Sequence, residues 1–133
     1  MAHATDHDLI ARANAVLGSR RLSPTVEVGK VGCALVTATG AIHVGVCVDA
    51  ACGLGFCAEH AAIASMVTQG ESRIRTIVAV DGKGRVIPPC GRCRELIGQI
   101  DPGNADARVL LPDGRIMTLR QLLPDHWLID RRD

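Results

Sequence analysis

Cys57, Glu59, Cys90 and Cys93 are the residues of this 133-residue chain whose types and spacing could do chemistry together. Cys90 and Cys93 form a C-x-x-C pair, and Cys57 stands alone two residues ahead of Glu59. Each half opens a predicted helix, where exposed amides and the helix dipole favour thiolates. Within one helical turn Cys90 and Cys93 can face the same ion, and Cys57 from a facing helix would supply a third ligand. Three protein ligands leave the fourth position of a tetrahedral Zn²⁺ open to water, as a catalytic zinc requires. Water held there loses its proton near neutral pH and becomes a hydroxide nucleophile. Glu59 lies near the metal without being needed as a ligand, so its carboxylate can take the water proton and pass it to a substrate.

Blander readings compete with this one. The three cysteines could form a closed structural zinc site with Cys47, Cys52 or His60 as the fourth ligand, but such a site has no use for Glu59. Glu59 alone could be a solvated first-turn glutamate favoured by the helix dipole. A Cys90–Cys93 disulfide is disfavoured in a reducing compartment. Cys33 reads as a small buried apolar residue, and Cys47 and Cys52 as core, loop packing or pocket lining. His43 reads as a packed strand histidine, and His3, His7 and His126 as surface residues. Phe56 and Trp127 are divided between core packing and closing a pocket.

The elements that must hold these residues can be read from periodicity. Thr5 to Ser19 is an amphipathic helix, with Leu9, Ile10, Ala13, Val16 and Leu17 at helical spacing and Thr5 and Asp8 as a capping pair. Arg20 to Lys30, with Pro24 and Gly29, reads as a loop. Val31 to Ala38 and Ala41 to Val48 read as a hairpin turning at Thr39-Gly40. Asp49 to Phe56 is a loop of small residues, and Gly53-Leu54-Gly55 would let backbone approach a substrate closely. Ala58 to Gln69 is a helix stopped by Gly70, Ile74 to Val80 a buried strand, and Cys90 to Ile100 a second site-bearing helix. Ala107 to Leu111 and Arg115 to Thr118 are strands, and Leu119 to Leu123 a last helical turn before Pro124. This order predicts a single domain over residues 1–133, an α/β three-layer α-β-α sandwich around a mixed five-stranded sheet. Only a tight turn joins the last two strands, so they must be antiparallel.

Composition narrows the partners. Hydrophobic residues make up 47% of the chain, within the globular range. No apolar run reaches the length of a bilayer span, and Met1 to Asp6 lacks the features of a secretory signal, so a soluble cytoplasmic protein is expected. The formal net charge is +1 and aromatic residues make up 2%. A nucleic-acid binder would carry a basic patch, and a single-strand binder also aromatic platforms. A small-molecule substrate fits better than a polynucleotide or a membrane.

A glutamate that is not a ligand, set beside a cysteine-held zinc, is the signature of zinc deaminases. Cys57-Ala58-Glu59 and Pro89-Cys90-Gly91-Arg92-Cys93-Arg94-Glu95 resemble the motifs of the small cytidine deaminase family, including its blasticidin-S deaminase branch. The resemblance extends to Val31-Gly32-Cys33-Ala34-Leu35, Gly45-Val46-Cys47-Val48 and Leu122-Leu123-Pro124, and so covers nearly the whole chain in order. It implies a zinc-dependent hydrolytic deaminase of a cytosine-type nucleoside, assembled as a homotetramer whose pockets neighbouring subunits complete. By resemblance the Ala58 amide helps hold the base, and Trp127, in the C-terminal segment, helps cover the pocket. Where the family has an asparagine and a glutamate that hold the ribose, this chain has Cys47 and Asp49; a phenylalanine often found in the pocket corresponds to Gly29. Cysteine replaces an amide poorly, so a modified nucleoside, blasticidin S or another amino-heterocycle competes with cytidine as substrate. A catalytically silent zinc protein is the rival from another class. Many relatives have arginine after the catalytic glutamate, where this chain has His60. His60, Arg92 or Arg94 is expected to hydrogen-bond the ligand sulfurs and offset their charge.

Overall fold

The computed structural model describes residues 4–127. Helix α1 (Asp6–Ala15) begins at Thr5, whose hydroxyl accepts the Asp8 amide while the Asp8 carboxylate accepts the Thr5 amide. The capping pair is therefore formed, though the helix stops at Ala15 rather than Ser19. There follow β1 (Arg20–Ser23), β2 (Val26–Thr37), β3 (Ile42–Ala50), α2 (Ala58–Thr68), β4 (Ile74–Val80), β5 (Val86–Ile87), α3 (Gly91–Ile100), β6 (Arg108–Leu110), β7 (Ile116–Thr118) and α4 (Leu119–Leu122).

The body of the sheet runs β3-β2-β4-β6-β7. β2 is antiparallel to β3 and to β4, β4 is parallel to β6, and β6 and β7 are antiparallel, as the tight turn between them demands. Two short strands add to this five-stranded body: β1 pairs with the start of β2 and β5 with the end of β4, making seven in all. The segment expected to be a loop, Arg20 to Lys30, is therefore β1, a turn and the first part of β2. Gly29 disguises it. This residue has φ 85°, and the β2–β3 register shifts between Val28 and Gly32. A glycine-bearing bulge of this kind interrupts the alternation by which a strand is recognised.

β2 is buried on both faces, which explains its unbroken apolar run. Cys33 and Leu35 pack with Cys47, Ala62, Met66 and Ile97 on the face covered by α2, α3 and α4. Ala34 and Val36 pack with Leu9, Ala13, Val78 and Val80 under α1 on the other. The result is the expected three-layer α-β-α sandwich. No helix among the described residues is long and apolar enough to cross a membrane.

Candidate active site

The two site-bearing helices present their N-termini to one another. Cys57 is the N-cap of α2 and Cys90 the N-cap of α3, both in extended backbone, and Glu59 and Cys93 lie in the first turns. The Cys57 and Cys90 sulfurs are 3.7 Å apart, and those of Cys90 and Cys93 are 3.5 Å apart. All three lie within 4.8 Å of one another. Zinc–thiolate bonds of about 2.3 Å in a tetrahedron require sulfurs roughly 3.8 Å apart, so the donor set fits that ion. Among the described residues neither Cys47, Cys52 nor His60 joins the group. A fourth position is thus left for a non-protein ligand.

Local electrostatics distinguish the three thiols. Burial works against a Cys90 thiolate, but the Cys93 and Arg92 amides and hydrogen bonds with the Cys57 and Cys93 thiols outweigh it, and its pKa falls below the ordinary thiol range. Burial pushes the Cys57 thiol up, and Cys93 far up, with the nearby Glu59 charge adding to both. Glu59 is itself 4% exposed. Burial raises its pKa, opposed by its own backbone amide and the Cys93 side chain. A carboxylate so placed keeps a proton more readily than one in water, which suits a group that must accept and release one.

The remaining predicted residues divide. His60 Nδ1 lies 3.5 Å from the Cys93 sulfur. Burial, then the Arg92 charge, lowers its pKa, which favours a neutral ring able to donate one N–H to that sulfur. Arg94 does not reach the sulfurs: Nε donates to the Pro89 carbonyl at 2.8 Å and Nη1 to the Leu122 carbonyl at 3.0 Å, tying the start of α3 to α4. An open cleft of about 660 Å³ adjoins the sulfurs, and Cys47, Asp49, Ala58, Glu59 and Arg92 all line it. The Cys47 sulfur accepts the Val31 amide at 3.3 Å and lies 4.0 Å from Asp49 Oδ2. Trp127 is exposed and is not among the residues lining the cleft in the single chain.

Lys30 and Phe56 also line the cleft; for Phe56 this agrees with the pocket side of its two sequence readings, whereas Lys30 was not picked out from the sequence. Lys30 forms a 3.1 Å ion pair with Glu27 and feels the Asp49 charge. Reading Val26-Glu27-Val28 as the start of a strand would have brought Lys30 beside β3. Phe56 is paired through its backbone with Val48, at 2.8 and 3.0 Å, which pins the loop leading into Cys57 against β3.

Comparison with known proteins agrees with this geometry. Residues 5–105 match the model of the cytidine and deoxycytidylate deaminase zinc-binding region. The chain is 34% identical over 101 residues to a cytidine deaminase of Mycobacterium tuberculosis, covering 75% of this chain and 74% of that one. It is 40% identical over 106 residues to a blasticidin-S deaminase of Bacillus cereus, covering 71% and 74%. The crystal structure of the Burkholderia pseudomallei cytidine deaminase superposes with a TM-score of 0.73 at 32% identity, covering 92% of this chain and 99% of that one. Motif order, sheet topology, the zinc-compatible thiols and these likenesses agree: the chain belongs to the cytidine and deoxycytidylate deaminase zinc-binding family, whose members are hydrolytic deaminases.

Proposed function

We propose that the protein deaminates a cytosine-type nucleoside, converting cytidine or deoxycytidine and water to the uracil nucleoside and ammonia. The observation that carries this reading is a buried carboxylate, Glu59, two residues from one of three thiols at zinc-ligand spacing. Cys57, Cys90 and Cys93 would hold Zn²⁺, which when bound makes water nucleophilic at neutral pH. Glu59 takes one proton of the attacking water and delivers it to N3 of the ring. It then takes the remaining proton from the oxygen now bonded to C4 and delivers it to the amine, so that the C–N bond breaks, the C4 carbonyl forms and ammonia leaves. The Ala58 amide orients the base, and Cys47 and Asp49 face the sugar side of the cleft. His60 steadies the Cys93 sulfur, and Arg92 contributes positive charge at the start of α3. A homotetramer, in which neighbouring chains close the open cleft and Trp127 helps cover a pocket, completes the reading.

A second reading, a blasticidin-S-type or other modified substrate, is favoured by one observation. The Cys47 sulfur is engaged by the Val31 amide and offers no amide group to a ribose, and the Bacillus cereus relative is a blasticidin-S deaminase. The deciding experiment measures ammonia release by zinc-loaded protein from cytidine, deoxycytidine, free cytosine and blasticidin S, beside Glu59→Gln. Release from a nucleoside that vanishes in the variant is the expected result. Release from blasticidin S alone would select the second reading, and release from none would leave a zinc protein without this activity.

A further inference from the structure

We infer that Gly45, a residue of β3 outside the cleft lining and the thiol group, is a positioning residue for the site, because it lets α2 lie directly on the strand backbone. A Cβ at Gly45 would stand 2.5 Å from the Ala62 amide nitrogen, 2.6 Å from the Ala61 Cβ and 2.8 Å from the Ala58 carbonyl oxygen. Two of these three atoms are helix backbone, which no side-chain rotation can move aside. Glycine within a strand commonly marks such an approach of another backbone.

The consequence falls on the site because of what this part of α2 carries. Cys57 caps the helix and Glu59 lies in its first turn, on the same turns that rest on Gly45. The contact residues on the helix, Ala58, Ala61 and Ala62, are small, so helix and strand meet without an intervening layer of long side chains. The distance from β3 to α2 therefore sets where Cys57 and Glu59 stand relative to Cys90 and Cys93, which α3 holds independently. Lifting α2 off the strand would separate the Cys57 sulfur from its 3.7 Å neighbour on Cys90 and carry Glu59 with it. Misplacing a reacting group by about 1 Å can cost about 100-fold in rate.

The inference rests on the deaminase reading for what Cys57 and Glu59 do, so the test includes a readout that needs no substrate. Gly45→Ala is compared with Gly32→Ala. Gly32 is the counterpart on the other face, where a Cβ would run into the Ala13 carbonyl under α1, a helix that carries no site residue. Affinity for Co²⁺, read from thiolate-to-cobalt absorbance, is measured with thermal midpoint, kcat and KM. We expect Gly45→Ala to weaken cobalt binding at least tenfold and to lower kcat by about 10- to 100-fold. Gly32→Ala should lose thermal stability yet keep both within about twofold. Should Gly45→Ala fail to fold, Ala61→Val presses on the same contact from the helix side, at a partly exposed position, and should move cobalt affinity in the same direction. Wild-type cobalt affinity and kcat in the folded Gly45 or Ala61 variant would overturn the inference, as would an equal loss in Gly32→Ala. A wild-type protein that binds cobalt but releases no ammonia would sink the deaminase reading and leave the cobalt comparison to decide the positioning role.

Discussion

At the scale of single residues the chemistry separates into what the motifs carry and what the surroundings add. His60 shows the difference. Its place after Glu59 is visible in sequence, but only the fold brings Nδ1 to 3.5 Å from the Cys93 sulfur while Arg94 turns to the Pro89 and Leu122 carbonyls. Groups that hold a ligand from behind typically change metal affinity by about 10- to 100-fold when removed. His60→Ala is therefore expected to release zinc more readily by roughly that factor, measured by competition with a chelating dye, whereas unchanged affinity would assign the contact to packing. Cys47 supports a second prediction. If cytidine is the substrate, Cys47→Asn adds an amide donor beside Asp49. A hydrogen bond contributing about 1 kcal/mol should lower KM for cytidine several-fold with kcat little changed. An unchanged or raised KM would mean that this edge of the cleft is built for another substituent. All four core candidates could be read from the sequence: Cys57, Cys90 and Cys93 because cysteine spacing reports metal chemistry directly, and Glu59 from its place two residues after Cys57. Lys30 was not, since its approach to Asp49 depends on a strand register.

At the scale of elements, the site depends on α3 being held at the correct height, and one buried amide does much of this. Asn104 is fully buried: its Oδ1 accepts the Ile74 amide at 2.8 Å, and its Nδ2 donates to the Ser72 and Ile97 carbonyls at 3.0 Å each. It thus joins the end of α3 to the start of β4 across the segment Asp101 to Asn104. That segment reads in sequence only as a helix stop. Alanine there would leave three backbone groups on two segments without this partner, and we expect a loss of about 3 kcal/mol in urea unfolding. A loss under about 0.5 kcal/mol would mean that water replaces the amide without cost. The contrast between β4 and β2 shows why some elements were legible and others were not. Ile74–Val80 is rich in β-branched residues, apolar apart from Arg75 and Thr76, and free of glycine, and its predicted limits match the structure. The first part of β2 was hidden by the Gly29 bulge, and β5, two residues long, is too short to show any period. The start of α1 at Thr5 was close to its predicted place because its capping box is local, whereas Cys57 and Cys90 cap α2 and α3 without a side-chain hydrogen bond and were placed by the motifs they open.

At the scale of the whole molecule, the two apolar layers share one sheet. Leu35 points to the α2 side of β2 and Val36 to the α1 side, so neither layer can be dismantled without exposing the other. We therefore propose that residues 1–133 fold as one cooperative domain. One ion pair joins parts of the chain 102 positions apart: Arg108 donates from Nη1 and Nη2 to the two carboxylate oxygens of Asp6 at 2.8 Å each, and from Nη1 to Thr76 at 3.0 Å. The hydrogen bond with Arg108 holds the Asp6 pKa below the ordinary carboxylate value of 3.8, against a partial cost of burial. Since the folded value is the lower one, the pair stabilises the fold fully above the unfolded pKa and loses its contribution as pH falls through the folded value. Both side chains are about 40% exposed, so solvent screening limits the effect to about 1 kcal/mol at most. The thermal midpoint of Asp6→Asn should thus lie a few degrees below wild type from about pH 5 to 7 and converge with it as pH falls through the folded value. Both proteins should unfold in a single transition at every pH. A constant gap down to acid pH would show that the amide disturbs the start of α1 rather than the ion pair. Two separate transitions would show that the α1 layer melts independently of the layer that holds the site.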